Sequence, residues 1–177
     1  MLLRSPRSAA SSLAKLVLFA TLAGACRKDS ASQSTPRNSV QIATNPLRAP
    51  ELRAASLTQG ADVAALIREE EARTRQDGRQ LIVYIGAAWC EPCHAWHDAL
   101  AAGTAGPLPA VRFLEFDLDK DGEALAQAGY HTHMVPFFAR PSLDGRATSV
   151  QFAGVRKGGD YVAEIRERVA EMLSVGL

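Results

Sequence analysis

Apolar side chains recur along much of the chain at the two spacings that mark helices and strands. In residues 61–76, Val63, Leu66 and Ile67 fall on one helical face among charged residues, which predicts an amphipathic helix. Residues 81–85 are instead a continuous apolar run rich in β-branched residues, which is typical of a central strand covered on both faces. The patterned part of the chain therefore begins with a helix followed by a buried strand.

The same reasoning predicts further elements after this strand. They are a helix from about 89 to 101, a strand over 111–118, a short helix over 123–128, strands over 135–139 and 148–152 joined by a turn at 144–145, and a closing helix with an apolar stripe at Val162, Ile165, Val169 and Met172 or Leu173. We therefore expect an α/β domain over residues 58–177, with a central mixed sheet of about four strands and helices on both faces.

The first part of the chain has a different character. Residues 1–25 combine the basic residues Arg4, Arg7 and Lys15 with an apolar run that starts at Leu16. The run is about ten residues long, whereas a spanning helix needs roughly 20. We predict a cleavable export signal, with a buried helix of the folded domain as the alternative.

A lipid anchor is predicted where this signal ends. Cys26 follows the small residues Ala23-Gly24-Ala25, which resembles the lipobox of bacterial lipoproteins. The resemblance implies acylation of Cys26 and attachment to a membrane on the periplasmic side of the cell envelope. Ala23 stands where that family prefers a large aliphatic residue, so ordinary secretion is the alternative.

The segment after the cysteine is predicted to be a flexible linker. Residues 26–57 are rich in serine and proline and contain no aromatic residue, so they bury too little apolar surface to offset the entropy of ordering. An edge strand around Val40 to Ile42 is the less favoured alternative.

Composition narrows the possible partners. The 177 residues are 47% hydrophobic and 6% aromatic, and the formal net charge is +1. There is no basic excess to hold nucleic acid and no aromatic platform for single strands. We expect a monomeric domain that does not bind nucleic acid.

The residues that best indicate chemistry are Cys90 and Cys93, at the predicted junction between strand 81–85 and the next helix. Free N–H groups and the dipole at a helix N-terminus stabilise a thiolate, which is the attacking species. Cys90 is therefore the predicted nucleophile. Cys93, one turn further and more buried, is predicted to resolve the mixed disulfide. Pro92 suits the first turn of the helix.

Half of a zinc site is another interpretation of this pair. Zinc needs four ligands, and the chain has no second Cys-x-x-Cys, so histidines would have to complete the set. The strand-then-helix context favours redox chemistry instead.

The run from Trp89 to Cys93, Trp-Cys-Glu-Pro-Cys, resembles the Trp-Cys-Gly-Pro-Cys active site of the thioredoxin family. Residues 130–136 resemble the stretch that carries a cis-proline in that family, so Val135-Pro136 is expected to be cis and to meet the substrate chain. The resemblance covers about residues 60–175. It implies a thioredoxin fold and a thiol–disulfide oxidoreductase that exchanges disulfides with protein thiols, small thiols and a redox partner protein.

The resemblance also bears on the cofactor and on the surface around the cysteines. Electrons would pass through the sulfur atoms, so no organic cofactor is expected. Trp89 either shapes the substrate surface beside the cysteines or packs in the core.

Departures from the family pattern leave the redox direction open. Tyr84 stands where many thioredoxins have a buried aspartate that relays the proton of the second cysteine, and a tyrosine is a poor base at neutral pH. Glu91 replaces a glycine and opposes a thiolate at Cys90. His94 and His97, if protonated, favour the thiolate instead.

Soft and borderline metal ligands gather around the same motif in the sequence. The set is Cys90, Cys93, His94, His131, His133 and Met134. Such ligands suit copper, so a copper-binding thioredoxin-like metallochaperone is the alternative function. The competing interpretation has His131 and His133 as exposed loop residues and Met134 packed under the loop. A third hypothesis, a non-catalytic binding module, is disfavoured by the intact cysteine pair.

Overall fold

The structure is a computed structural model that describes residues 48–58 and 60–175. The predicted export signal, Cys26, the candidate strand at Val40 to Ile42 and the linker up to residue 47 lie outside the described residues. Among the described residues, no helix is both long enough and apolar enough to cross a membrane.

The central strand is β2 (Gln80–Gly86), and its apolar run is buried on both faces as its pattern predicts. It pairs in parallel with β3 (Val111–Asp117) and antiparallel with β4 (Phe137–Pro141). Tyr84 is aligned with Glu115 on β3. These two side chains therefore share one face of the sheet, next to the end of β2 that leads to the cysteines.

Two more strands are β1 (Glu51–Ala54), which is parallel to β3, and β5 (Ala147–Ala153), which is antiparallel to β4. They complete a five-stranded sheet in the order β1-β3-β2-β4-β5. The prediction of a mixed sheet is confirmed, but the count of about four strands is one too low.

The additional strand, β1, comes from a segment that we predicted to be linker. Its sequence carries little apolar signal, and the interaction that secures it is distant in sequence. Arg112 donates from Nε and Nη2 to Glu51 at 3.1 and 3.0 Å. Tertiary pairing, rather than local propensity, thus makes this segment a strand.

Four helices pack on the two faces of the sheet, as predicted. They are α1 (Val63–Gln76), α2 (Glu91–Ala101), α3 (Leu118–Gln127) and α4 (Tyr161–Ser174). α3 begins five residues before the predicted start at 123, because the Asp117 side chain accepts a hydrogen bond from Asp119 N at 3.0 Å and caps the helix.

The sheet separates two buried clusters. α2 and α4 cover the face that carries Tyr84 and Phe113, whereas α1 and α3 cover the opposite face. Trp96 of α2 is fully buried and meets Phe113 edge-on, with ring centroids 5.6 Å apart. Burial of one such large side chain contributes about 1.5–3 kcal/mol, so this packing holds α2 and its first turn against the sheet.

Candidate active site

The connection between β2 and α2 places Cys90 at the N-cap of α2. The backbone of Cys90 is extended, and its Sγ accepts a hydrogen bond from Cys93 N at 3.2 Å. Pro92 lies in the first turn, where no intrahelical N–H donor is needed. The N-terminus of α2 therefore points at the Cys90 sulfur, which favours a thiolate there when the pair is reduced.

Cys90 and Cys93 form a disulfide, with an S–S distance of 2.05 Å. Both residues are only 3% exposed, so the expectation that Cys93 is the more buried is not met in this oxidised state. The Cys90 sulfur is bonded to Cys93 in the first turn of α2, and Cys90 is less exposed than expected of a free nucleophile. The structure therefore shows the cysteine pair in its oxidised, disulfide-bonded form.

Trp89 lies on the surface next to this pair. Its side chain is 63% exposed, and Nε1 donates a hydrogen bond to Asp119 Oδ2 at 2.9 Å. The alternative that Trp89 packs in the core is therefore wrong. Glu91 and His94 are also exposed on the first turn of α2. The disulfide is thus bordered by an aromatic face and by polar and ionisable side chains.

The Val135–Pro136 bond is cis, as the resemblance implies. Pro136 is buried, and its carbonyl accepts a hydrogen bond from Gly154 N at 2.8 Å. Val135 packs against the buried cluster that contains both cysteines. The cis bond therefore lies immediately before β4, and Val135 contacts the apolar cluster to which both cysteines belong.

The histidine-containing loop does not assemble with the cysteines into a metal centre. His131 and His133 are exposed, and Met134 is 56% exposed rather than packed under the loop. Within residues 48–58 and 60–175, no three His, Cys, Asp or Glu side chains are placed to hold one metal ion. The copper alternative gains no support from this arrangement.

A cavity of about 670 Å³ opens beside Cys93. Its polar and charged lining residues are Ser56, Cys93, His94, His97, Glu115, Asp117, Lys120 and Asp121. His97 Nε2 lies 2.7 Å from Glu115 Oε1. The sequence places His97 four residues after Cys93, but only the sheet register brings Glu115 to it.

Tyr84 forms the floor beneath this region. Its side chain is fully buried and stacks on Phe138, and its hydroxyl has no hydrogen-bond partner among the described residues. Burial, together with the nearby Glu115 carboxylate, raises the pKa of Tyr84 well above its usual value. The phenol therefore keeps its proton at neutral pH, as the sequence suggests for a tyrosine at this position.

No protein-family model matches the chain. No curated protein matches its sequence either. Among solved structures, the chain is similar to a mutant thioredoxin from Halobacterium salinarum, with 12% identity, 72% of this chain and 95% of that chain covered, and a TM-score of 0.43. It is also similar to a thioredoxin from Fasciola hepatica, with 26% identity, 59% of this chain and 91% of that chain covered, and a TM-score of 0.40. A thioredoxin from Trypanosoma brucei brucei is similar with 16% identity, 73% of this chain and 96% of that chain covered, and a TM-score of 0.42.

The strand order, the single antiparallel strand β4 inside the sheet and the helices on both faces make this domain a thioredoxin fold. The fold carries a Cys-x-x-Cys disulfide at the start of α2, with a cis-proline at the start of β4. The described residues therefore combine the thioredoxin fold with a disulfide-bonded Cys-x-x-Cys pair at a helix N-terminus.

Proposed function

We propose that the protein is a thiol–disulfide oxidoreductase that exchanges disulfides with protein thiols or small thiols through Cys90 and Cys93. The observation that carries this proposal is the disulfide at the N-terminus of α2, with the Cys90 sulfur at the helix cap. The exposed face of Trp89 beside it offers a surface on which a substrate chain can pack.

The reductive direction proceeds in two exchanges. The Cys90 thiolate attacks one sulfur of a substrate disulfide, and the other substrate sulfur leaves as a thiolate that takes up a proton. Cys93 then loses its proton and attacks the Cys90 sulfur, which closes the internal disulfide and releases the second substrate thiol. Two electrons pass from the cysteine pair to the substrate, and the reverse sequence oxidises a substrate dithiol.

The reduction potential of the full-length chain tests this proposal and sets the direction. Equilibration with a dithiol buffer is expected to show one reversible two-electron couple that the Cys90→Ser variant lacks. A potential near about −270 mV makes the protein a reductant, and one near about −120 mV makes it an oxidant. If no reversible couple appears, the proposal is overturned.

The order of the two cysteines is tested by trapping. Cys93→Ser is expected to accumulate mixed disulfides with substrate proteins, because the second exchange cannot occur. Cys90→Ser is the matched control and is expected to trap none. Equal trapping by the two variants would reverse or remove the assigned roles.

We also propose that this chemistry takes place in the bacterial cell envelope, on the periplasmic side. The proposal is supported by the basic and apolar pattern of residues 1–25, by Cys26 and by the fact that disulfides persist in oxidising compartments. Fractionation of cells is expected to find the chain with the membranes, and Cys26→Ala is expected to release it. Wild-type protein in the cytosol would contradict this location.

A further inference from the structure

The second exchange requires that Cys93 lose a proton, although the residue is only 3% exposed. Direct contact of Cys93 with solvent is therefore small, and a side chain that lines the cavity beside Cys93 is well placed to take the proton. Tyr84 is the titratable side chain that lies under the pair. Because its own pKa is raised, it can donate a hydrogen bond but cannot accept this proton.

The cavity beside Cys93 contains a better acceptor. His97 lies one helical turn after Cys93 on α2, and both residues line this cavity. Side chains on a helix lean towards its N-terminus, so the imidazole of His97 leans towards Cys93. At about 670 Å³, the cavity has room for a water molecule to bridge the two groups.

Glu115 orients the imidazole of His97 so that it can accept a proton. Its Oε1 lies 2.7 Å from His97 Nε2, on the strand next to the one that carries Tyr84. A carboxylate at this distance keeps the imidazole proton on Nε2, which leaves Nδ1 free to accept another. Once Nδ1 is protonated, the positive imidazolium faces the Glu115 carboxylate, which stabilises it.

The other groups around His97 leave this pairing intact. They are His94 on the same helix, Tyr84 on β2, and Asp117, Lys120 and Asp121 at the start of α3. Lys120 Nζ is 2.8 Å from Asp117 Oδ2, and Asp121 accepts a hydrogen bond from the Asp117 backbone. Residues 54–57, which close the remaining side of the cavity, contribute no ionisable side chain.

We infer that His97, oriented by Glu115, accepts the proton of Cys93 when the mixed disulfide is resolved, an inference that rests on the proposed function. The Cys93 S–H bond breaks and its proton passes through a bridging water to His97 Nδ1. The Cys93 sulfur bonds to the Cys90 sulfur, and the bond between Cys90 and the substrate breaks. The substrate leaves as a thiolate, which takes the proton back from His97 or from water.

Stopped-flow reaction of the reduced full-length protein with 5,5′-dithiobis(2-nitrobenzoate) tests the inference. The reference protein, called the wild type in this test, and all its variants carry Cys26→Ala, so that Cys90 and Cys93 are the two thiols that can react. The first equivalent of released thiolate reports attack by Cys90, and the second reports attack by Cys93. The Cys93→Ser variant identifies the second phase by losing it. His97→Gln is expected to slow the second phase at least about tenfold at neutral pH, and to leave the first phase unchanged.

The pH profile separates proton transfer from a loss of structure. The deficit of His97→Gln is expected to shrink as the pH rises past about 8.5, where a free thiol ionises without help. Glu115→Gln, which keeps the side-chain shape, is expected to slow the same phase by a smaller factor. His131→Gln, an exposed histidine away from the cavity, is the matched control and is expected to behave like the wild type in both phases.

The outcomes that would contradict the role of His97 differ from those that would contradict the proposed function. An unchanged second phase in His97→Gln, a deficit that does not vary with pH, or equal slowing of both phases would overturn the role of His97. In each of these cases the wild type still releases two equivalents, so the proposed exchange stands. If the wild type releases no thiolate, the proposed function itself fails.

Discussion

Tyr84 shows at the scale of one residue how a polar atom can be held in the core without a partner. The ring gains burial between α2 and the sheet and stacks on Phe138 with centroids 4.9 Å apart. The hydroxyl, by contrast, is buried and has no partner among the described residues in the oxidised protein. Such a group costs about 1–3 kcal/mol, which the packing of the ring must outweigh.

Tyr84→Phe is accordingly expected to stabilise the oxidised protein by about 1 kcal/mol, because it removes the unpaired hydroxyl and keeps the ring. Urea unfolding under non-reducing conditions measures the change. Tyr130→Phe is the matched control. Its hydroxyl donates to Gly145 O at 3.0 Å, so the loss is expected to destabilise by about 1 kcal/mol. A less stable Tyr84→Phe protein would show that the hydroxyl has a favourable partner, such as a water.

At the scale of the element, a charged cluster joins β1 to the neighbouring strand and helix. Arg112 is 6% exposed and contacts Glu51 of β1, Glu70 and Thr74 of α1, and Asp77. The Arg112 guanidinium on β3 therefore links β1 and β3 to α1. Glu70 is almost as buried, at 4% exposed, so each charge in the cluster depends on its partners.

Arg112→Ala is expected to destabilise the protein by about 3 kcal/mol or more, because it leaves the Glu70 carboxylate buried with fewer partners. Urea unfolding gives the magnitude, and hydrogen exchange is expected to show faster exchange at β1. Arg53→Ala is the control. Arg53 also contacts Glu70, but its side chain is half-exposed, so a loss below about 1 kcal/mol is expected. Similar losses in the two variants would contradict the central role of Arg112.

For the whole molecule, the same cluster links stability to pH. The hydrogen bond from Arg112 holds the pKa of Asp77 below its ordinary value of 3.8. A lowered folded-state pKa contributes stability that is present above the unfolded value and is lost as the pH falls through the folded value. The fold should therefore lose part of its stability below about pH 4 through this group.

Comparison of the wild type with Asp77→Asn tests this dependence. The variant is expected to be less stable at neutral pH, and the gap is expected to close as the solution is acidified below about pH 4. Unfolding midpoints across the acidic range measure the gap. Asp98→Asn is the control, since the exposed Asp98 side chain makes no hydrogen bond or ion pair among the described residues. A gap of constant size would show that Asp77 acts through shape alone.

Local sequence was enough to predict the order of the main elements, the buried central strand and the cysteine pair at the head of a helix. These features depend on local period and composition, which the chain displays directly. The surroundings of the cysteine pair were harder to predict from the sequence. The histidines near the motif suggested a metal site, whereas the structure leaves His131 and His133 exposed in a separate loop.

The fifth strand and the polar surroundings of Cys93 depend instead on contacts between distant parts of the chain. β1 is a strand because its backbone pairs with β3, where Arg112, 61 residues after Glu51, also contacts the Glu51 side chain. Glu115 meets His97 because β3 aligns with β2 at Tyr84, a register that no local pattern specifies. Interactions between elements are set by packing and by buried charge, and these become visible only when the folded chain brings the elements together.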